Sequence, residues 1–277
     1  METAQHMLRT GRRGAWHEFA MAGDDLARSL RNIGLAWSLA WHDVVSRYRG
    51  SILGPLWITL SMGLMVLGIG FLYSRLLNMP LKEFLPFVAL GIVFFGLITQ
   101  TINEGCDTFV QASSMLSQTA LPMFTFVWRT VLRNLVNLGH HLVIVVGVLI
   151  WSGLWRESNL PLALAGLVLV VANIAWISLL VSIASARFRD IPQIVASITQ
   201  FAMFMTPVFW RPQGSLLNHA LLKFNPFFHL LDAVRSPMMG GHPDPVSYLV
   251  IGLMAVGGWA LAFSVFTLTR RRIVHYL

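Results

Sequence analysis

The chain has 277 residues, of which 56% are hydrophobic and only 12% charged, with twenty Lys and Arg against twelve Asp and Glu for a formal charge of +8. Soluble domains carry roughly 25% charged residues, so this composition excludes a water-facing globular fold and assigns most of the chain to lipid. The one cysteine, Cys106, excludes an internal disulfide and a cysteine-based metal cluster. The two lysines, Lys82 and Lys223, lack the glycines and Ser/Thr of a Walker A phosphate loop.

The first thirty residues contain no apolar core of a cleavable signal peptide, and residues 1–23 read as a cytoplasmic tail with Arg9, Arg12 and Arg13. From 24 to 50, Leu26, Leu30, Ile33, Trp37, Trp41, Val44 and Tyr48 recur at intervals of three and four, one face of an α-helix. Asp24 or Asp25 suits its N-terminus, and the glycines and proline of 50–55 punctuate its end. An arginine-bearing amphipathic helix beside a span is expected to lie in the membrane interface, with contact to a cytoplasmic partner as the sharper reading.

A spanning helix needs about 20 apolar residues. Six stretches qualify: 56–76, 84–103, 124–155, 160–186, 190–210 and 246–269. Six spans put both termini on one side. Fourteen of the twenty cations fall on that side and six on the other, which makes the terminal side cytoplasmic. Trp57, Trp151, Trp155 and Trp210 sit at expected span ends, where an amphipathic ring suits the headgroup layer; Trp176 and Trp259 fall mid-span.

Between the second and third spans, residues 104–122 are long enough for a short helix before Pro122 and carry acids but no cation. Anionic lipid would attract a basic loop, so this one reads either as a protein-docking loop or as a plain connector. Between the fifth and sixth spans, residues 211–245 hold two apolar stretches, Leu216, Leu217, Leu221, Leu222 and Phe224, then Phe227, Phe228, Leu230, Leu231, Val234, Met238 and Met239, with Asn225 and Pro226 between them. Two short helices dipping back into the membrane fit this pattern, provided protein or a cavity covers the junction.

The third span carries the most informative stripe. Arg129, Arg133, Asn137 and His141 recur every four residues, with Asn134 and His140 close to that face. Charged groups at membrane depth face a bundle interior or an aqueous cavity, so the stripe reads as the lining of a polar path, with snorkelling to phosphates as the alternative for Arg129. No metal-ligand spacing accompanies the paired histidines, and no nucleophile or acid–base constellation is present. The spans lack acids apart from boundary cases such as Glu104, which argues against proton- or cation-coupled transport.

The ordered motifs Arg47-Tyr-Arg-Gly-Ser-Ile-Leu-Gly-Pro-Leu-Trp57, Arg187-Phe-Arg-Asp-Ile191, Thr206-Pro-Val-Phe-Trp210 and Asn225-Pro-Phe-Phe-His-Leu-Leu-Asp-Ala-Val-Arg-Ser-Pro237 resemble the permease subunits of ABC-2-type polysaccharide exporters, the group serving O-antigen, capsule and teichoic acid. The resemblance covers roughly residues 25–277. It implies an all-α membrane domain with an interface helix, six spans and short re-entrant helices, in the bacterial inner membrane. It further implies a homodimer bound to two copies of a separate ATPase subunit that holds ATP and Mg, with no cofactor on this chain and no nucleic-acid partner. On this reading Arg47, Tyr48, Arg49, Glu104, Asp107, Phe109, Arg187, Arg189 and Asp190 couple to the ATPase. Asn225, Pro226, Phe227, Phe228, His229, Asp232, Arg235 and Pro237 form a periplasmic gate. The cargo is a lipid-linked polysaccharide, most simply O-antigen; capsule polymer, a drug or a lipid on the same scaffold, or a membrane enzyme using the His140–His141 face, are the rivals.

Overall fold

The computed structural model describes residues 15–211 and 220–276, which are helical with no strand among them. Arg9, Arg12, Arg13, Leu216 and Leu217 lie outside the described residues. Helix α1 (Ala15–Arg31) breaks at Asn32 and resumes as α2 (Ile33–Arg47). Residues 15–23, expected as tail, are therefore helical. The break falls where a poor helix former, Asn32, is followed by Gly34.

Five helices are long and apolar enough to cross a membrane: α3 (Leu56–Leu76), α4 (Leu81–Cys106), α7 (Phe124–Ser152), α8 (Leu160–Arg187) and α12 (Pro245–Tyr276). The 21 residues of α3 reach about 31 Å at 1.5 Å per residue, close to the hydrocarbon thickness. Between α4 and α7 lie α5 (Thr108–Gln111) and α6 (Ser113–Gln118), two short helices where one was expected. The apolar helix α9 (Ile191–Met205) has 15 residues, about 22 Å, followed by α10 (Ala220–Lys223) and α11 (Pro226–Met238).

Helix α4 is the axis of the bundle. Its apolar residues from Phe84 to Ile102 are almost all buried, and α3, α7, α8, α9 and α11 pack around it. Two close approaches set the packing of α9 and α11. A Cβ on Gly91 would meet the Val208 carbonyl, and one on Gly166 would meet the Ala233 carbonyl. A second apolar cluster, with Phe109, Phe124, Leu179 and Phe266 at its centre, closes the end of the bundle where Ala22 of α1 and Ile273 of α12 lie. There the mid-span Trp259 stacks with Phe124 and Trp128 and donates to the Ala172 carbonyl at 3.0 Å. Trp176 donates to Asn173 at 3.1 Å.

The amphipathic helices turn most of the large apolar set outward and pack on the bundle through small residues. Leu30, Ile33, Trp37 and Trp41 are exposed, while Ala22, Asp25, Ser29, Ala36, Ala40 and Val44 are buried. Both sets follow helical spacing. Small side chains let α2 lie close against α7, and the large apolar set on the outside is left for lipid.

Candidate functional site

Helix α7 brings its arginines to the end of the bundle where α2 and the last turn of α4 meet. Arg133, nine residues into α7, lies roughly 13 Å along it and is 7% exposed. Its Nε and Nη2 donate to Glu104 Oε2 at 3.1 and 2.8 Å, and its Nη1 donates to Asp43 Oδ2 at 3.1 Å. Arg129 forks onto the same aspartate, Nε to Oδ2 at 2.7 Å and Nη2 to Oδ1 at 2.6 Å. Glu104 also accepts from Asn134 at 2.8 Å and from Gln100 at 3.1 Å, with Arg47 3.9 Å away at the rim. Two guanidinium groups thus face two carboxylates, which neutralises the charge in a region where unpaired ions are costly. Burial raises the Asp43 pKa, but the Arg129 fork and then Arg133 outweigh it and hold the carboxyl below its ordinary value.

The sequence reading set Arg129 and Arg133 on a polar lining, with snorkelling as the alternative for Arg129, and the structure pairs both with carboxylates. In a low-dielectric setting, charges meet their counter-ions rather than face an open path. Asp43 went unassigned in the sequence, although two arginines in a span without acids demand partners from outside it. The polar stripe divides at this point. Asn134 joins the ion cluster, and its Oδ1 has no partner among the described residues. His140 bonds the Val136 carbonyl at 2.9 Å and borders an apolar groove of about 520 Å³ with Trp37 and Trp41. Asn137 and His141 instead line a cleft of about 510 Å³ between α2, α3, α4 and α7. Arg47, Tyr48, Trp57 and Gln100 border it too, so residues expected in two different roles share one cavity.

The expected coupling residues also separate by burial. Arg49, Asp107, Arg187, Arg189 and Asp190 are exposed. Arg187 stacks over Phe188 and Tyr276, with its guanidinium carbon 5.2 and 5.6 Å from the ring centroids. Phe109 is fully buried, anchoring the loop instead of presenting a surface, and Glu104 is committed to the ion cluster.

At the opposite end, Asn225 caps α11 by accepting from Phe227 N at 3.0 Å, while its amide donates to the Met205 carbonyl and Thr206 Oγ1. Pro226 fills the first helical position. His229 bonds Ser247 at 2.9 Å and the Lys223 carbonyl at 2.8 Å, and Asp232 accepts from Ser247 at 3.0 Å, tying α11 to the start of α12. Phe227 packs on Phe95, and Phe228 makes an edge contact with His229. Arg235, buried, donates to the Pro207 carbonyl at 2.5 Å and sits 4.2 Å from the Phe87 ring centroid. The Pro237 carbonyl accepts from Asn159 N at 2.8 Å. Among the described residues no cluster of three or more His, Cys, Asp or Glu is placed to hold a metal ion.

The O-antigen export system permease protein RfbA of Myxococcus xanthus is 24% identical over 209 residues, 73% of this chain and 79% of that protein. The family model described as ABC-2 type transporter matches residues 34–239, a stretch from α2 to the end of α11 that contains the ion cluster, every residue lining the cleft and the capped helix α11. The chain is therefore a membrane protein of the ABC-2 type transporter family.

Proposed function

We propose that this chain is the permease subunit of an ATP-driven exporter that moves a lipid-linked polysaccharide, of the O-antigen class, outward across the bacterial inner membrane. The observation that carries this reading is the alignment over most of both chains with a permease named for O-antigen export. The lack of a Walker A loop in the sequence assigns ATP and Mg to a separate ATPase subunit, and two permeases with two ATPases make the working complex. The exposed Arg49, Asp107, Arg187, Arg189 and Asp190 are the docking surface, with Phe109 and Glu104 bracing it from behind.

On this reading both termini are cytoplasmic, in keeping with the excess of arginine at that end. Helix α9 and its following turn form a short fifth span, which makes six. Helices α10 and α11 dip into the membrane from the periplasm, where the buried Arg235 and the Asn225 cap hold them as gate elements. The experiment is deletion of the gene together with co-purification alongside the neighbouring ATPase. Loss of the surface polysaccharide and recovery of a stable complex are expected. An intact surface glycan with altered drug sensitivity would overturn the polysaccharide reading.

A further inference from the structure

The cleft between α2, α3, α4 and α7 has a polar wall that the fold leaves unsatisfied. Asn137 is 5% exposed, lines the cleft, and its side chain has no hydrogen-bond partner among the described residues. Its amide opens onto the cleft, where it offers a bound polar group both donors and an acceptor. His141 stands one turn further along α7 on the same wall. At the mouth, Arg47 is half-exposed and its one carboxylate neighbour, Glu104, stands 3.9 Å away and is already engaged by Arg133, Asn134 and Gln100. Because Asp43 and Glu104 balance Arg129 and Arg133, the Arg47 charge is left over and faces outward. Trp57 and Tyr48 line the same cleft.

We propose that this cleft holds the junction between the phosphate-bearing headgroup of a membrane lipid and its first sugar. Arg47 takes the phosphate, as a guanidinium with free donors does. Tyr48 and Trp57 pack against the C–H face of the sugar ring, and Asn137 and His141 bond its hydroxyls. The volume of about 510 Å³ lies within the range of ligand pockets, roughly 300–1,000 Å³. The inference rests on the exporter reading, since that reading supplies a sugar-bearing lipid, and it moves Arg47 and Tyr48 from ATPase docking to cargo recognition.

The test uses the full-length protein in lipid nanodiscs with Ser61→Cys, an exposed position on the cleft wall. Cys106, at 1% exposure, is the unreactive internal control. Maleimide labelling of the new thiol is timed with three probes: a polyprenyl diphosphate carrying one sugar, the same diphosphate without sugar, and phosphatidylglycerol. Labelling is expected to slow at least tenfold with the sugar-bearing probe, less with the bare diphosphate and little with phosphatidylglycerol. Asn137→Leu and Arg47→Gln, checked for unchanged melting temperature, are expected to remove most of that protection. Equal protection by all three probes overturns the sugar contact, because the cleft would then bind any phosphate lipid. No protection by any probe, in a protein whose deletion still removes the surface glycan, overturns the cleft while leaving the exporter reading in place.

Discussion

Replacing Arg133 by Leu is the sharpest perturbation of the ion cluster. It removes three hydrogen bonds, two to Glu104 and one to Asp43, and leaves two carboxylates facing Arg129 and the more distant Arg47. Breaking one partner of a buried pair costs about 3–5 kcal/mol. The side chains of Asp43 and Glu104 keep 15% and 20% of their exposure, which places this case near about 3 kcal/mol. At roughly 2–4 °C per kcal/mol for chains of this size, the melting temperature falls by about 6–12 °C. Heating the detergent-purified protein and measuring the monodisperse fraction that survives gives the value. Arg133→Lys is expected in between, since an ammonium keeps the charge but loses the fork. Adding Glu104→Leu to Arg133→Leu is expected to restore part of the loss, because the uncompensated acid is then gone. A melting temperature unchanged by Arg133→Leu, with export abolished, would refute this account and return the arginine to a cavity-facing role.

The Asp43 carboxyl, held below its ordinary value in the fold, contributes stability that is present above the unfolded pKa of about 4 and lost as pH falls through the folded one. Asp43→Asn is therefore expected to lower the neutral-pH melting temperature and flatten its decline on acidification, as read from a pH series. Asp25→Ala removes the two bonds that Met123 N and Phe124 N donate at the start of α7, and a loss of about 1 kcal/mol is expected, visible in the same melting assay. Gly166→Ala drives a methyl into the Ala233 carbonyl; overpacking of this kind costs about 1–3 kcal/mol, and reduced folded yield on size exclusion is the readout. Arg189→Glu, at an exposed site, is expected to leave the melting temperature unchanged and to weaken co-purification of the ATPase. Glu104→Lys is expected to lower the melting temperature, because its carboxylate serves the cluster.

The long spans were legible because they need only length and apolarity, and α3, α4, α8 and α12 begin or end close to where charge-free runs do. Asn225-Pro226 marked a junction that the structure makes a helix start, its side chain accepting a backbone N–H, a local signal. The stripe on α7 was legible as polar, but its partners were not, since Asp43 and Glu104 approach from α2 and α4. Pairing across 29 and 90 residues leaves no trace in spacing. The apolar face of α2 was legible, but the small residues that pack it on α7 were not. Hydrophobic periodicity finds the apolar side of a helix, yet in lipid the apolar side turns outward and small residues make the protein contact.

The helices outside the family-matched stretch belong to the same mechanical unit. Helix α1 precedes residue 34 and α12 follows residue 239, yet both are fastened to the start of α7. Asp25 accepts the first backbone donors of α7 with both carboxylate oxygens and lies 3.7 Å from Arg270 of α12. Arg271 pairs with Glu18, and Trp128 of α7 donates to Ser29 of α1 at 3.3 Å. The Asp43 fork then fixes α2 to α7 one turn and two turns further on. The loop at 107–123 meets this junction at its end, where Met123 N donates to Asp25. A motion that shifts α2 must break charged hydrogen bonds or carry α7 with it, and the second is much the lower in energy. Asn137 and His141 lie on α7 beyond this junction, on the wall of the cleft.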